Sequence, residues 1–255
     1  MTRITLDITK SVEKNAEVYF NRSKKAKKKL EKTLKALERI KKKKEKIDRT
    51  KEQEKQQQSI PQKQEWYEKF HWFISSEGFL VIGGKDATSN EIVIKKHTNP
   101  KDIVFHTDIS GSPFFVIKTE NKTPKEITLK ETATATASYS KAWKLGVTTV
   151  DVVYVNPDQV TKTTKAGEYM PKGAFMIYGK KNYIKSELQL AIGLKDNKIM
   201  AAPLSAIKKY SKDYLIIQQG KQKKSAIAKS IQIKLKAHVD DIIKALPTGG
   251  CEIKK

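Results

Sequence analysis

The chain has 255 residues, with 52 Lys and Arg against 28 Asp and Glu, a formal net charge of +24 and an isoelectric point near 9.8. Hydrophobic residues make up 38% of the sequence, which is enough for a packed core and excludes a wholly disordered chain. No apolar run approaches the roughly 18 residues that a membrane span needs, so we expect a cytoplasmic protein with no membrane-embedded part. The single cysteine, Cys251, excludes an intramolecular disulfide and a multi-cysteine zinc site. The positive charge favours a polyanionic partner.

The N-terminal segment is predicted to form one long, basic helix. It has neither Gly nor Pro before Pro61, and it is rich in Lys, Glu, Leu and Ala, which favour helices. Mostly apolar positions follow one another in alternating steps of four and three, which is the period of a coiled-coil seam. A solvated charged helix without a partner is the alternative. The seam positions are Val12, Ala16, Tyr19, Ser23, Ala26, Leu30, Thr33, Leu37, Ile40, Lys44 and Ile47.

The seam needs a partner, and the sequence offers little of one. Residues 48–64 are polar and rich in Gln, and Pro61 interrupts them, so they could form the tip of a helical hairpin. Only residues 62–73 remain for a returning helix, far fewer than the outgoing helix contains. We therefore expect a coiled-coil partner from outside this sequence, either a second copy or a missing N-terminal part of a longer protein.

From residue 66 the pattern changes to short β-rich runs separated by turn residues. A helix is predicted over 124–145, two more over 225–238 and 239–246, and the pattern of 90–97 fits either a strand or a helix. Strands mixed irregularly with helices predict an α+β fold, with a sheet that we expect to be mixed. The strands are predicted at 70–74, 79–82, 103–106, 114–118, 149–155, 174–178, 188–194 and 214–218.

Three domains follow from these patterns. Residues 1–65 are predicted to be a basic coiled coil, 66–185 an α+β domain, and 186–255 a small C-terminal α/β extension. By direct count, residues 1–58 carry a net charge of +11 and the remainder +13, so the positive charge is spread over the whole chain.

Few residues suggest a catalytic or metal-binding site. His106 and Asp108 are two apart at a predicted strand end, which places both on one face, where they could act as acid and base or form half of a metal site. A structural or RNA-contacting histidine is the alternative that we favour. The segment 83–86 lacks the spacing of a phosphate-binding loop, so we interpret it as a turn. Because the sequence shows no complete active site, we expect no catalytic residue, no metal and no cofactor.

Basic residues in the β-rich part are interleaved with tyrosines and one asparagine. Cations that bind phosphates, close to aromatic rings that stack on exposed bases, are typical of RNA-binding surfaces. An ordinary lysine-rich surface is the alternative. The candidate RNA-binding residues are Lys85, Lys95, Lys96, His97, Lys101, His106, Asp108, Lys162, Lys165, Tyr169, Lys172, Lys180, Lys181, Asn182 and Tyr183.

The same region resembles a known family. The matching segments are 72–86, 102–108 with Gly111, 139–143, 159–163, 167–169, 173–177 and 179–183. In order and spacing they resemble the NFACT-R domain over roughly residues 66–184. The preceding basic coiled coil also fits the family plan, and the C-terminal tail is similar to the archaeal branch. Thr107 stands where the family usually has Ala.

The resemblance implies a factor of ribosome-associated quality control. Members of the family bind the large ribosomal subunit after a stalled ribosome has split, with peptidyl-tRNA still attached, and NFACT-R is regarded as their RNA-binding domain. The implied partners are therefore large-subunit rRNA and tRNA or peptidyl-tRNA. Some members also extend the nascent chain with C-terminal residues without a template. The family's NFACT-N and helix-hairpin-helix domains have no counterpart here, so we expect no such tailing activity from these residues alone. Two alternatives stay open: an RNA-acting enzyme using His106 and Asp108, and a coiled-coil scaffold for a protein partner.

Overall fold

The computed structural model describes residues 4–57, 65–163 and 170–254, with side chains of the N-terminal helix described up to residue 44 except residue 43. The chain divides into two compact units, Met1–Lys63 and Gln64–Lys255, hereafter unit one and unit two. Among its described residues, unit one contains one helix, α1 (Val12–Gln57), which confirms the predicted long N-terminal helix. Its positions Leu30, Leu37 and Ile40 are exposed, as expected for a seam without a partner.

The first residues of unit one fold back along the start of α1. The Asn15 side chain is buried there: its amide group donates to the backbone oxygen of Asp7, and its oxygen accepts from the Asp7 N–H, both at 2.9 Å. The Tyr19 hydroxyl donates to the Thr5 backbone oxygen at 2.6 Å. Tyr19, predicted as a seam position, therefore holds this local segment.

Unit two is built from short strands and helices. Its helices are α2 (Ala87–Lys96), α3 (Glu126–Tyr139), α4 (Lys141–Leu145), α5 (Leu204–Tyr210), α6 (Lys224–Leu235) and α7 (Val239–Ala245), with a 3₁₀ turn at Pro157–Gln159. Its strands are β1 (His71–Ile74), β2 (Leu80–Gly83), β3 (Ile103–Thr107), β4 (Phe115–Lys118), β5 (Thr149–Val155), β6 (Val160–Thr161), β7 (Met176–Ile177), β8 (Asn182–Glu187), β9 (Leu190–Lys195), β10 (Lys198–Ala202), β11 (Tyr214–Gln222) and β12 (Cys251–Ile253).

The α+β class is confirmed, but the expected mixed sheet is wrong. In the described residues the strands form a six-stranded sheet in the order β1-β2-β4-β3-β5-β8, a four-stranded sheet β10-β9-β11-β12 and a ribbon β6-β7, and every pair is antiparallel. Helices α3 and α4 lie between β4 and β5 in the chain. Those two strands do run in the same direction, but β3 lies between them and is antiparallel to both.

The other local predictions have mixed outcomes. Residues 90–97 fall mostly in α2, and the single predicted helix over 124–145 is two helices, because Ser140 has an extended backbone and caps α4 by accepting from the Ala142 N–H. The returning helix over 62–73 is wrong for its described part, since residues 65–70 form a turn and β1 begins at His71. Strands β6, β8, β10 and β12 and helix α5 were not predicted.

The six-stranded sheet is buried on both faces. One face packs Phe105, Phe115 and Val152 into a large core that also contains α3, α6 and the four-stranded sheet. The other face packs Val104 and Val153 against α2, Phe114 and the ribbon. The first core joins the two sheets, and β8 runs through residue 185, where we predicted a domain boundary. The boundaries at 65 and 185 stay predictions.

Two long side chains tie the C-terminal segment to α3 and α4. The Tyr139 hydroxyl donates to the Ala245 backbone oxygen at 2.6 Å, and the Trp143 indole N–H donates to the Gly250 oxygen at 3.0 Å. Both aromatic rings are buried. The last residues of the chain therefore help to hold the helices that cover the six-stranded sheet.

Candidate nucleic-acid interface

A cavity of about 380 Å³ lies at one end of the six-stranded sheet. It is lined by three turns, residues 84–87, 110–114 and 171–175, together with His71, His106, Tyr139 and Thr248. The antiparallel order explains this convergence, because the end of β2, the start of β4 and the end of β3 meet at the same end of the sheet. The cavity therefore collects side chains from distant parts of the sequence.

The first of these turns starts α2. The Asp86 side chain accepts from the Ser89 N–H at 2.8 Å, and the Ser89 hydroxyl oxygen accepts from the Asp86 N–H at 2.8 Å, a reciprocal capping box. Gly84 donates its N–H to the Phe114 oxygen, which connects this turn to the second one. Segment 83–86 is thus a turn into a helix, as interpreted from its sequence, and the Asp86 carboxylate is engaged in capping.

The third turn packs directly on the start of α2. Gly173 has a φ of +78°, and a Cβ atom at this position would lie 2.5 Å from the backbone of Ala87. Glycine is therefore required at position 173 for two reasons, the left-handed backbone conformation and the close approach to Ala87. This contact places Lys172 and Phe175 at the cavity.

Stacked rings line the cavity. The His106 imidazole stacks on Phe114 with 4.1 Å between ring centroids, and Phe114 meets Phe175 edge to face at 5.5 Å. A second pair consists of His71 on Tyr139, at 3.9 Å. His106 and Phe175 are partly exposed, whereas Phe114 is buried. The accessible aromatic surface of the first group therefore belongs to His106 and Phe175.

Both imidazoles are held in the neutral form. Burial lowers the pKa of His106 to about 4, against the smaller opposing effects of backbone hydrogen bonds and the Asp108 charge. Burial, together with the charges of Lys85 and Lys224, holds the pKa of His71 well below its ordinary value. At neutral pH the positive charge of the cavity comes from lysines, and each histidine offers a ring with one donor and one acceptor.

This environment weighs against His106 as a catalytic base. A group with a pKa near 4 is poorly matched to proton transfer near neutral pH. Asp108 lies beyond the end of β3 and is exposed. Within the three described ranges of the chain, no group of three or more His, Cys, Asp or Glu side chains could hold a metal ion.

The structure divides the candidate RNA-binding residues into separate groups. Lys85, His106 and Lys172 line the cavity, with Asp108 just beyond β3. Lys162 lies between groups: its ammonium is 3.1 Å from a Glu91 carboxylate oxygen and 5.4 Å from the centre of the Phe175 ring. Lys165 and Tyr169 lie outside the described residues.

A second group lies at the other end of α2. Lys95 and Lys96 are in its last turn, and Lys95 pairs with Glu91 at 2.7 Å. His97 stacks on the exposed ring of Trp66, with 4.5 Å between centroids. Lys101 is exposed in the following turn. A ten-residue helix is about 15 Å long, so this group and the cavity are at opposite ends of α2.

A third group lies at the beginning of the edge strand β8 and in the two residues before it. Lys180, Lys181, Asn182 and Tyr183 are all exposed, and 53% of the surface of Tyr183 is open to solvent. His106 pairs with Val153, which pairs with Tyr183, so His106 and Tyr183 lie in one row on the same face of the sheet. Strand spacing puts these two residues about 10 Å apart. The register therefore connects the third group to the cavity.

Several cavity residues were not singled out as candidates. Gly173 and Phe175 belong to segment 173–177, and Tyr139 begins segment 139–143, so the segments that carry the family resemblance were the available signal. His71 has no motif spacing to His106 in the sequence and was not a candidate. Thr248 lies in the C-terminal tail that is similar to the archaeal branch.

Comparison with known proteins identifies the domain that contains the cavity. Residues 69–179 match the family model described as the NFACT protein RNA binding domain. The chain is 43% identical over 204 residues to the archaeal Rqc2 homolog aRqcH of Methanocaldococcus jannaschii, covering 77% of this chain and 30% of that protein.

Animal relatives match the same region. The ribosome quality control complex subunit NEMF homolog of Drosophila melanogaster is 48% identical over 132 residues, covering 51% of this chain and 13% of that protein. Human ribosome quality control complex subunit NEMF is 40% identical over 176 residues, covering 67% of this chain and 16% of that protein. The chain thus spans less than a third of the length of each of these relatives. With the RNA-binding domain model matched and these relatives in two domains of life, the chain belongs to the NFACT family.

Proposed function

We propose that this chain is an RNA-binding module in ribosome quality control, and that it binds the large ribosomal subunit through rRNA and peptidyl-tRNA. The observation that carries the proposal is the row linking Tyr183 to His106, because it joins the exposed, basic β8 edge to the cavity on one face of the sheet. The family model and the names of the relatives support the same function.

The β8 edge has the chemistry for this role. Tyr183 and Lys185 are at alternate positions and share one face of β8, and Lys181 is the residue just before the strand; all three are exposed. Within the described part of the chain, neither Lys181 nor Lys185 forms an ion pair. Free ammonium groups beside an exposed ring suit phosphates beside an unstacked base.

We place the chain in the cytoplasm, where ribosomes are, and assign it binding rather than catalysis. None of the described helices has the length and apolarity to cross a membrane. The exposed seam of α1 supports an additional role, contact with a coiled-coil partner, which is either a second copy or a further part of a longer protein.

Co-sedimentation with purified large subunits, with and without bound peptidyl-tRNA, tests the proposal. We expect the double variant Lys181→Ala/Lys185→Ala to bind more weakly than the parent chain. The matched control is Lys208→Ala/Lys212→Ala, which removes the same charge from exposed positions at and just beyond α5. Equal loss in both variants would show that only net charge matters. No binding by the parent chain at low salt would contradict the proposal.

A further inference from the structure

The cavity has the size of a small-ligand site. Its volume, about 380 Å³, is at the lower end of the range of pockets that enclose small molecules. A single nucleotide is a ligand of this size class, whereas a stacked pair of nucleotides or a duplex is larger. The ligand must therefore be of the size of a single nucleotide, either as a free molecule or as one residue that projects from a longer chain.

The lining offers both an aromatic contact and positive charge. His106 and Phe175 present partly exposed rings, braced from behind by Phe114. Lys85 and Lys172 supply the cations. Rings bind the faces of bases, and ammonium groups bind phosphates, so the combination selects a nucleotide over a purely apolar or purely anionic ligand.

The acidic residues near the cavity do not cancel this charge completely. The Asp86 carboxylate accepts the Ser89 N–H at 2.8 Å in the cap of α2. Glu91 pairs with Lys95 and Lys162, at 2.7 and 3.1 Å. No ion pair of Lys85 or Lys172 is found in the described ranges. The Lys85 ammonium donates one hydrogen bond, to the backbone oxygen of Glu68 at 3.4 Å, which leaves its other N–H groups. Both lysines are thus available to an anion.

The position of the cavity favours a nucleotide within an RNA strand. His106 is about 10 Å from Tyr183 on the same sheet face, and Lys181 is close enough for its charge to act on His106. Successive nucleotides in a single strand are separated by a few ångströms, so a strand on the β8 edge reaches the cavity within a few nucleotides.

We propose that the cavity receives one unstacked nucleotide of single-stranded RNA, with its base against His106 and Phe175 and its phosphate near Lys85 and Lys172. This inference rests on the proposed RNA-binding function and adds a defined pocket to it. Because an aromatic ring can stack on any base, binding is tolerant of base identity.

Photocrosslinking tests where the nucleotide lies. The full chain is mixed with a single-stranded RNA that carries one 4-thiouridine, irradiated and mapped by mass spectrometry. We expect crosslinks to peptides that contain His106 or residues 171–175. Crosslinks confined to the β8 edge or to α1 would overturn the pocket assignment while leaving RNA binding intact. Failure of the parent chain to bind the RNA at low salt would instead contradict the proposed function itself.

A cavity-filling variant supplies the second measurement. Ser110 is exposed and lines the cavity, so Ser110→Phe places a ring in the space that the base would occupy. Loss of one stacked base is expected to weaken RNA binding about tenfold or more, with the salt dependence unchanged. The control is Ser230→Phe, at an exposed position of α6. Unchanged affinity of Ser110→Phe for the RNA would overturn the inference. It would also be overturned if adenosine monophosphate bound to the chain and the single-stranded RNA did not displace it.

Discussion

His106 and Tyr183 lie in one row of the six-stranded sheet, on the same face and separated by Val153 of the strand between them. The first lines the cavity and the second is on the exposed edge strand. A ring in the cavity and a ring on the edge are therefore held at a fixed spacing by the sheet, and a rigid scaffold of this kind positions two contacts on one bound strand.

Stability should depend on pH through His106. Its pKa is about 4 in the folded chain against 6.5 for an unperturbed histidine, so the unfolded state binds more protons between these values. The contribution of neutral His106 to the free energy of unfolding is complete above pH 6.5 and is lost as the pH falls towards 4. The total loss is about 3 kcal/mol. We expect denaturant unfolding of His106→Phe to show a smaller loss of stability over this interval than the parent chain. Identical pH profiles would contradict a buried neutral His106.

Gly173→Ala should destabilise unit two more than an equally strained glycine substitution elsewhere. A Cβ atom at Gly173 meets the backbone of Ala87, whereas at Gly146, with a similar φ of +75°, nothing lies within 4 Å. Gly146→Ala therefore reports the backbone strain alone, about 1 to 2 kcal/mol. We expect Gly173→Ala to exceed it by about 1 kcal/mol or more in thermal or denaturant unfolding. Equal losses of unfolding free energy in the two variants would show that the 171–175 turn accommodates the added Cβ atom without further destabilisation.

Glu131 should be a major stabilising residue despite its charge. It is buried on α3, and its carboxylate accepts the Ser76 N–H at 2.9 Å and the Ser205 hydroxyl at 2.6 Å, joining the β1–β2 turn to α5. Glu131→Ala leaves these donors without their acceptor and should cost about 2 to 4 kcal/mol of unfolding free energy. Glu126→Ala, at an exposed position of the same helix, is the control and should cost less than about 0.5 kcal/mol. Similar losses would show that the buried carboxylate is dispensable.

The exposed seam of α1 should cause self-association of the full chain. Leu30 and Leu37 are exposed, and apolar side chains at this period pair with another helix in water. Analytical ultracentrifugation should show an oligomer that Leu30→Lys/Leu37→Lys dissociates. The control Glu31→Lys/Glu38→Lys adds charge one position away and keeps the apolar seam. A monomer at every concentration would leave a different protein segment as the partner of α1.

The sequence predicted the strongly periodic elements and failed where a contact between distant residues decides the structure. Strand β5 was predicted with its bounds, because an apolar, β-branched run with turns on both sides has few alternatives. Strand β8 was missed because its residues are mostly polar and exposed, and only pairing with β5 makes it a strand. Helix α2 was ambiguous because Ile92 and Ile94 alternate, and the cap by Asp86 and Ser89 resolves it.

The same reason explains the outcome for the candidate site. His106 and Lys172 were selected by residue type, but nothing local shows that they line one cavity. That depends on the strand order and on the close packing of Gly173 on Ala87. Lys95 and Lys96 were selected by the same criterion and lie at the far end of α2.

The salt dependence of RNA binding tests the central claim most directly. The dissociation constant of the full chain for a single-stranded RNA is measured over a range of salt concentrations, for the parent and for Lys172→Ala, Lys181→Ala and Lys185→Ala. The account predicts a linear fall of log Kobs with log salt, and a slope smaller by about 0.7 in each variant that loses one phosphate contact. Lys208→Ala should leave the slope unchanged. A parent slope near zero, or equal slopes in all variants, would contradict RNA binding through this face of unit two.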